Sequence, residues 1–145
     1  MTGFVVWLHV VATVFLCGLI WVIQVVHYPL MSEVPEDRFR GFHARHTRLI
    51  SRLVVPPMLV ELATSILLVW RCPDGVSPAL PATGAGLLLI VWLSTFGLQV
   101  PAHRRLESGW DSQTHRRLVR TNWIRTWAWT LRAGIAVAIT ITAAS

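Results

Sequence analysis

The sequence predicts an all-α integral membrane protein, an antiparallel bundle of four transmembrane helices. Of its 145 residues, 54% are hydrophobic and only 14% are charged, whereas soluble domains carry about 25% charged residues. The apolar residues are gathered into four stretches, each near the length of about 20 helical residues that crosses a bilayer core. Little chain is left for a soluble domain, so residues 1–145 are predicted to form one transmembrane domain.

The predicted spans are separated by polar connections. They cover approximately residues 3–26, 50–70, 79–100 and 120–144. The first begins with MTGFVVWL, which lacks the basic residues that open a secretion signal, so we expect it to be retained as a helix. The second connection, RCPDGVSPALPATG, is rich in proline and glycine, which predicts a tight turn between the second and third spans.

The positive charge is distributed unevenly among the connections. All 13 basic residues are arginine, and the formal net charge is +6. The first and third connections hold most of the arginines that lie outside the spans, whereas the second holds only Arg71. Because positive residues are retained on the cytoplasmic side, this asymmetry predicts cytoplasmic first and third connections and two external termini. It also argues against a nucleic-acid-binding protein, whose basic residues would lie on a soluble face.

The two halves of the sequence contain similar short patterns. Gln24-Val25 precedes a proline at the end of the first span, and Gln99-Val100 precedes a proline at the end of the third. A His-x-x-Leu pattern, beginning at His46 and again at His115, leads into the second and fourth spans. The patterns are consistent with a 2+2 parallel internal repeat and with chance similarity between apolar segments, and both explanations remain open.

Each predicted helix carries polar residues on one face. Residues 3, 4, 7, 11 or 18 positions apart share a face at 100° per residue, as His9 and His27 do on the first helix. Since ionisable side chains avoid lipid, four such faces are expected to converge inside the bundle. The residues expected to bind a cofactor there are His9, Gln24, Gln99, Asn122 and Trp129.

Three charged residues are candidates for catalysis. Glu61 and Arg132 fall at similar depths of about 18 and 21 Å when counted at 1.5 Å per residue from the inner interface. We therefore expect them to form a buried ion pair, with Arg125 on the same face of the fourth helix as Arg132. Two interpretations are open: the pair fixes helix packing, or it handles protons or binds a ligand.

Four histidines are predicted to gather at the cytoplasmic mouth of the bundle. His43 and His46 lie one helical turn apart, and His27 and His103 lie near the inner ends of the first and third helices. Imidazoles suit zinc, copper, iron or nickel, so these residues are candidate metal ligands. The alternatives are contact with lipid headgroups and a proton shuttle.

Two segments of the sequence resemble known families. QVPAHRRLESGWD and RLVRTNWIRTWAWTLR are similar to signatures of a family of small bacterial four-span inner-membrane proteins of unassigned function. WLHVVATVFLCGLIW resembles the first helix of HemJ-type protoporphyrinogen oxidases, which are small haem-binding membrane proteins. The shared features are a Leu-His pair near the start of the helix, a later glycine and a second histidine at the inner end. The second resemblance implies that His9 is a haem ligand, although the lysine of that family's third helix has no counterpart here.

The sequence thus predicts a membrane-bound binding or redox protein with an interior polar site that opens toward the cytoplasm. The expected cofactor is a transition metal or haem b, used for redox or proton-coupled chemistry, and whether the protein is an enzyme is left open. The alternatives are a structural or assembly subunit of a membrane complex and a small transporter. The expected partners are the lipid bilayer of a bacterial inner membrane, a small molecule or metal, and other subunits in a homo-oligomer or complex, but no nucleic acid.

Overall fold

The computed structural model describes residues 2–144 and the side chains from residue 3 onward. The protein is 87% helical and the described residues contain four long helices and no strand. Two of the helices, α1 and α3, each contain a short π-helical segment. The elements are α1 (Thr2–Val22, the π segment Ile23–His27, and Tyr28–Met31), α2 (Glu36–Trp70), α3 (Ala79–Ser94, the π segment Thr95–Gln99, and Val100–Leu106) and α4 (Ser112–Ala143).

Three of the helices are long and apolar enough to cross a membrane. They are the segments Gly3–Met31, Glu36–Trp70 and Ala79–Leu106. The fourth, α4, contains five arginines, of which Arg125 and Arg132 lie within its apolar part. Three spans are therefore supported by length and composition, and the fourth remains a prediction.

The helices extend further than the sequence patterns predicted. The sequence placed the end of the first helix before Pro29 and that of the third at Pro101, but α1 continues to Met31 and α3 to Leu106. It also placed a polar loop in much of residues 32–50, whereas α2 already begins at Glu36. The arginine-rich segments are helical because they bury one face, including Phe39 of α2 and Leu118 of α4, both of which are fully buried.

Each π segment is followed, after one intervening residue, by a proline. In α1 the Tyr28 N–H donates to the carbonyl of Ile23, and in α3 the Val100 N–H donates to the carbonyl of Thr95. Proline has no N–H and its ring crowds the carbonyl four residues earlier, so the regular pattern of hydrogen bonds is interrupted at that point. These backbone hydrogen bonds, which join residues five positions apart, keep both helices continuous. Gln24 and Gln99 lie within the π segments, and both side chains are buried.

The core lies along α4. This helix packs against α1 on one side and α3 on the other, and α1 also packs against α2. The buried apolar side chains include Leu16, Ile20, Phe39 and Trp129. At its beginning, α4 is capped by Asp111, whose carboxylate accepts a hydrogen bond from the Gln113 backbone N–H.

Candidate functional site

Glu61 and Arg132 form the buried ion pair that the sequence predicts. The Arg132 Nε lies 3.0 Å from Glu61 Oε1, and both side chains are almost entirely buried. The other carboxylate oxygen, Oε2, accepts a hydrogen bond of 3.1 Å from Trp129 Nε1. Arg132 also donates through Nη1 to the backbone carbonyl of Gly84 on α3. These contacts bring α2, α3 and α4 together at one point, so the pair is both charge-compensated and bound to backbone.

His9 lies beside this ion pair and far from the other histidines. Its Nδ1 is 2.9 Å from the hydroxyl of Thr64, which donates its single proton to the backbone of Val60 or Glu61. Where the hydroxyl donates to the backbone, its oxygen accepts from the Nδ1–H of His9, which is the tautomer with Nε2 as the basic nitrogen. Glu61, Trp129, Arg132, His9 and Thr64 are referred to below as the glutamate cluster.

Gln24, Gln99 and Asn122 connect the π segments to α4. Asn122 Nδ2 donates to Gln24 Oε1 at 2.7 Å, and Gln24 Nε2 donates to the carbonyl of Val119 at 3.2 Å. Gln99 accepts from Ser94 and donates to Thr121. Gln24, Gln99 and Asn122 are three of the five predicted cofactor-binding residues. Of these three, only Gln99 lines the cavity described below, whereas Gln24 and Asn122 hydrogen-bond to each other.

The four histidines named as candidate metal ligands are brought together. His43 Nε2 lies 3.1 Å from His103 Nδ1, and the rings of His27 and His46 stack with their centroids 4.1 Å apart. The His46 and His103 rings are 6.2 Å apart, which links the two pairs. His27, His43, His46 and His103, contributed by α1, α2 and α3, are referred to below as the histidine cluster.

The arrangement of these rings does not form a metal centre. Among residues 2–144, no group of three or more His, Cys, Asp or Glu side chains is placed so as to hold a metal ion. The lone pairs of an imidazole lie in the plane of its ring, so the stacked rings of His27 and His46, whose planes differ by 22°, direct their lone pairs within nearly parallel planes. His43 and His103 direct nitrogens at each other within hydrogen-bonding distance. The structure brings together the four histidines that the sequence grouped, with His43 and His103 at hydrogen-bonding distance and His27 and His46 stacked.

Tyr28 extends the histidine cluster into a chain of hydrogen-bonding groups. Its hydroxyl lies 3.4 Å from His103 Nε2, while His103 Nδ1 contacts His43. Each member of the chain His43–His103–Tyr28 can both donate and accept a hydrogen bond. A proton can therefore pass along the chain by exchange at both nitrogens of each imidazole. The sequence analysis did not select Tyr28, although it is the only tyrosine and directly follows His27.

A cavity of about 520 Å³ adjoins the histidine cluster, a volume within the range of about 300–1,000 Å³ of small-molecule sites. All four helices contribute to its wall. Its polar lining includes His46, His103, Gln99 and Arg125. Its apolar lining includes Ile20, Val54, Met58 and Trp92. The cavity therefore combines a polar end with a hydrocarbon-like wall.

Arg125 is the charged residue that reaches this cavity from α4. Its side chain is 8% exposed, and its guanidinium lies 5.0 Å above the ring of Trp129. Its Nε is buried without a hydrogen-bond partner among the described residues. Trp129 thus contacts both Arg125 and Glu61, so the glutamate cluster and the cavity are adjacent but separate, and the three charged candidates do not share one site.

Comparison with protein-family models, with curated proteins and with solved structures finds no match for this chain.

Proposed function

We propose that this protein binds a small molecule in the cavity beside the histidine cluster and exchanges protons with it. The observation that carries the proposal is the convergence of His46, His103 and Arg125, from three different helices, on one largely apolar cavity. Imidazoles are the side chains best suited to proton exchange near neutral pH. A concave apolar site with a few polar groups at one end is also the usual form of a small-molecule site.

The proposal includes an antiparallel arrangement of four membrane-spanning helices. It is supported by the order of contacts between α1 and α4, where Gln24 meets Val119 and the earlier Trp21 meets the later Thr130. Contacts between α1 and α2 run the same way, since His9 meets Thr64 whereas His27 meets His46. Residues later in one helix therefore contact residues earlier in its neighbour, which is the antiparallel order.

The 2+2 repeat and the orientation in a bacterial inner membrane are also proposed. The repeat is supported by the two π segments, each of which is followed by a proline and contains a buried glutamine. Each glutamine donates a hydrogen bond to α4, Gln24 to the carbonyl of Val119 and Gln99 to the hydroxyl of Thr121. The orientation is supported by the excess of arginine in the segments that join α1 to α2 and α3 to α4. In this orientation the histidine cluster lies toward the cytoplasm.

Haem is a second candidate for the ligand. A haem iron can be held by a single imidazole, and His46 lines the cavity without a hydrogen bond among the described side chains. Bound haem would supply one-electron redox chemistry. His9, the haem ligand implied by the resemblance, lies instead in the glutamate cluster with its Nδ1 bonded to Thr64.

Purification of the protein in a mild detergent tests the proposal. The bound small molecules would be extracted and identified by mass spectrometry, with metal analysis and an absorbance spectrum of the same sample. We expect a molecule that wild-type protein retains and the Val54→Phe variant loses, because the larger side chain fills part of the cavity. Val69→Phe is the matched control, since Val69 is an exposed residue of the same helix outside this cavity.

Two results would contradict the proposal. One is an identical set of extracted molecules from all three proteins, and the other is the absence of any retained molecule from the wild type. A haem spectrum that disappears in His46→Ala and persists in His9→Ala would assign haem as the ligand. A colourless preparation free of metal would remove haem and metal as candidates.

A further inference from the structure

Arg125 is a buried cation that has no acidic partner among the described residues. The other buried arginine of α4, Arg132, is 1% exposed and pairs with Glu61 at 3.0 Å. In the part of the chain that the structure describes, Arg125 forms neither an ion pair nor a hydrogen bond; its guanidinium lies over the face of Trp129, and Tyr28 and His103 are near enough to interact with its charge. Glu107 lines the same cavity but is exposed at its rim and does not pair with Arg125. An uncompensated charge inside an apolar protein is costly, so a negative group is expected to complete this site.

The groups around Arg125 are suited to an anionic headgroup. His46, His103 and Gln99 line the same cavity, and each can donate a hydrogen bond to an oxyanion. A guanidinium with two free outer nitrogens can bind a carboxylate or phosphate through two parallel hydrogen bonds. The polar end of the cavity therefore provides the buried Arg125, the exposed Arg104 and several hydrogen-bond donors, and the one carboxylate that lines it among the described residues, Glu107, is exposed.

The rest of the cavity is suited to a hydrocarbon chain. Ile20, Ile23, Val54 and Met58 line it, and no charged residue is among them. Three further lining residues, Val55, Leu59 and Phe96, are exposed on the outer surfaces of α2 and α3. Both helices are long and apolar enough to cross a membrane, so this surface faces acyl chains. The cavity thus opens sideways between α2 and α3 toward the bilayer.

We propose that the cavity binds an acidic amphiphile that enters from the bilayer, with its anionic headgroup on Arg125 and its hydrocarbon chain along α2 and α3. The inference rests on the proposed function, because it specifies the ligand of the same cavity. The headgroup is a carboxylate or a phosphate, supplied either by a free fatty acid or by an acidic phospholipid. Its negative charge supplies the acidic partner that Arg125 lacks among residues 3–144.

Binding of labelled amphiphiles to the purified protein tests the inference. Isotope-labelled oleate, oleyl alcohol and dioleoyl phosphatidate would be titrated in a non-ionic detergent, with inorganic phosphate as a headgroup without a chain. We expect at least one of the two anionic amphiphiles to bind about tenfold or more tightly than oleyl alcohol, and phosphate alone to bind weakly. Stronger binding of oleate would assign a fatty acid, and stronger binding of phosphatidate would assign a phospholipid.

Arg125→Gln identifies the charge that is responsible. We expect it to weaken binding of the anionic amphiphile about tenfold or more and to leave binding of oleyl alcohol unchanged. Arg120→Gln, on the exposed surface of the same helix, is the matched control and should bind as wild type does. If Arg125→Gln does not fold, the comparison of oleate with oleyl alcohol in the wild type decides whether the negative charge matters, and Val54→Phe, which fills part of the cavity without changing its charge, decides the location of the site.

The outcomes separate this inference from the function on which it rests. Equal binding of oleate and oleyl alcohol, or undiminished oleate binding by Arg125→Gln, would overturn the acidic ligand while leaving the cavity as a binding site. Binding that persists unchanged in Val54→Phe would overturn the cavity as its location. If no amphiphile binds and no molecule is retained on purification, both proposals fail.

Discussion

The two buried arginines of α4 show that a charge inside an apolar protein depends on its partner. Arg132 is compensated by Glu61, and that carboxylate is further stabilised by the indole of Trp129. Arg125, seven residues earlier on the same helix, lies over the face of the same indole and pairs with no carboxylate of the described side chains. Trp129 therefore lies between the Glu61–Arg132 ion pair and the guanidinium of Arg125, which is free to bind an anionic ligand. The glutamate cluster is expected to contribute mainly to stability, and Arg125 to ligand binding.

Removing one member of the ion pair should be more damaging than removing both. Glu61→Leu leaves Arg132 buried without its counter-ion, which should lower the free energy of unfolding by about 3–5 kcal/mol. The double variant Glu61→Leu, Arg132→Met removes the uncompensated charge as well and should recover part of that loss. The measurement is chemical unfolding of the detergent-purified proteins, with the exposed Glu33→Leu as control. Additive losses in the double variant would contradict the interpretation.

The sequence predicts a contact between two residues where their depth in the membrane and the helical face on which they lie are enough to bring them together. Counting residues from the interface placed Glu61 and Arg132 at similar depth, and the structure confirms their contact. The same reasoning grouped the four histidines. It did not identify Tyr28 as a member of the hydrogen-bonded chain or show that Arg125 pairs with none of the described carboxylates, because both depend on how closely neighbouring helices approach. Periodicity within one helix contains no information about that spacing.

At the scale of the helices, the predicted ends of α1 and α3 differ from the structure at two prolines. Pro29 and Pro101 were interpreted as helix ends, since proline interrupts the regular hydrogen-bonding pattern. In the structure each interruption is absorbed by a five-residue π segment, and the helix continues. A π segment rotates the following residues relative to a regular helix. The four helices were predictable from composition, but this local rotation was not.

The start of α4 depends on its cap and therefore on pH. Hydrogen bonds from the Thr114 hydroxyl and from backbone N–H groups hold the pKa of Asp111 below its usual value of 3.8. A lowered pKa means that the charged carboxylate stabilises the folded state fully above pH 3.8, and that this stabilisation is lost as the pH falls through the lowered pKa. Asp111→Ala should therefore reduce Tm more at pH 6 than at pH 2.5.

Thermal unfolding at the two pH values measures this effect. Asp74→Ala is the control, because Asp74 is an exposed carboxylate in the turn between α2 and α3 and caps no helix. A loss of Tm in Asp111→Ala that is the same at pH 6 and pH 2.5 would contradict the contribution of the charged cap.

At the scale of the whole molecule, the route by which a ligand reaches Arg125 depends on whether α4 crosses the membrane. The helix carries arginines that a lipid-facing span would exclude, yet Arg125 and Arg132 are directed into the protein and are almost fully buried. Its neighbours α1 and α3 enclose those charges on either side. Near its end, the backbone of Thr142 lies against Gly75 in the turn between α2 and α3. Two ends in contact belong on the same side of a membrane, so α4 should span it fully.

Labelling of single cysteines tests this topology. In a chain whose Cys17 and Cys72 are replaced by serine, S77C, S108C and T142C would be exposed in turn to a membrane-impermeant maleimide on intact bacterial cells. We expect labelling of S77C and T142C from outside, because both lie at the end where α2 joins α3. S108C, in the arginine-rich connection before α4, should react only after the cells are made permeable. Labelling of T142C together with S108C would mean that α4 does not cross the membrane. In that case its two arginines would reach the interior from the cytoplasmic surface, and a ligand could approach Arg125 from water instead of from lipid.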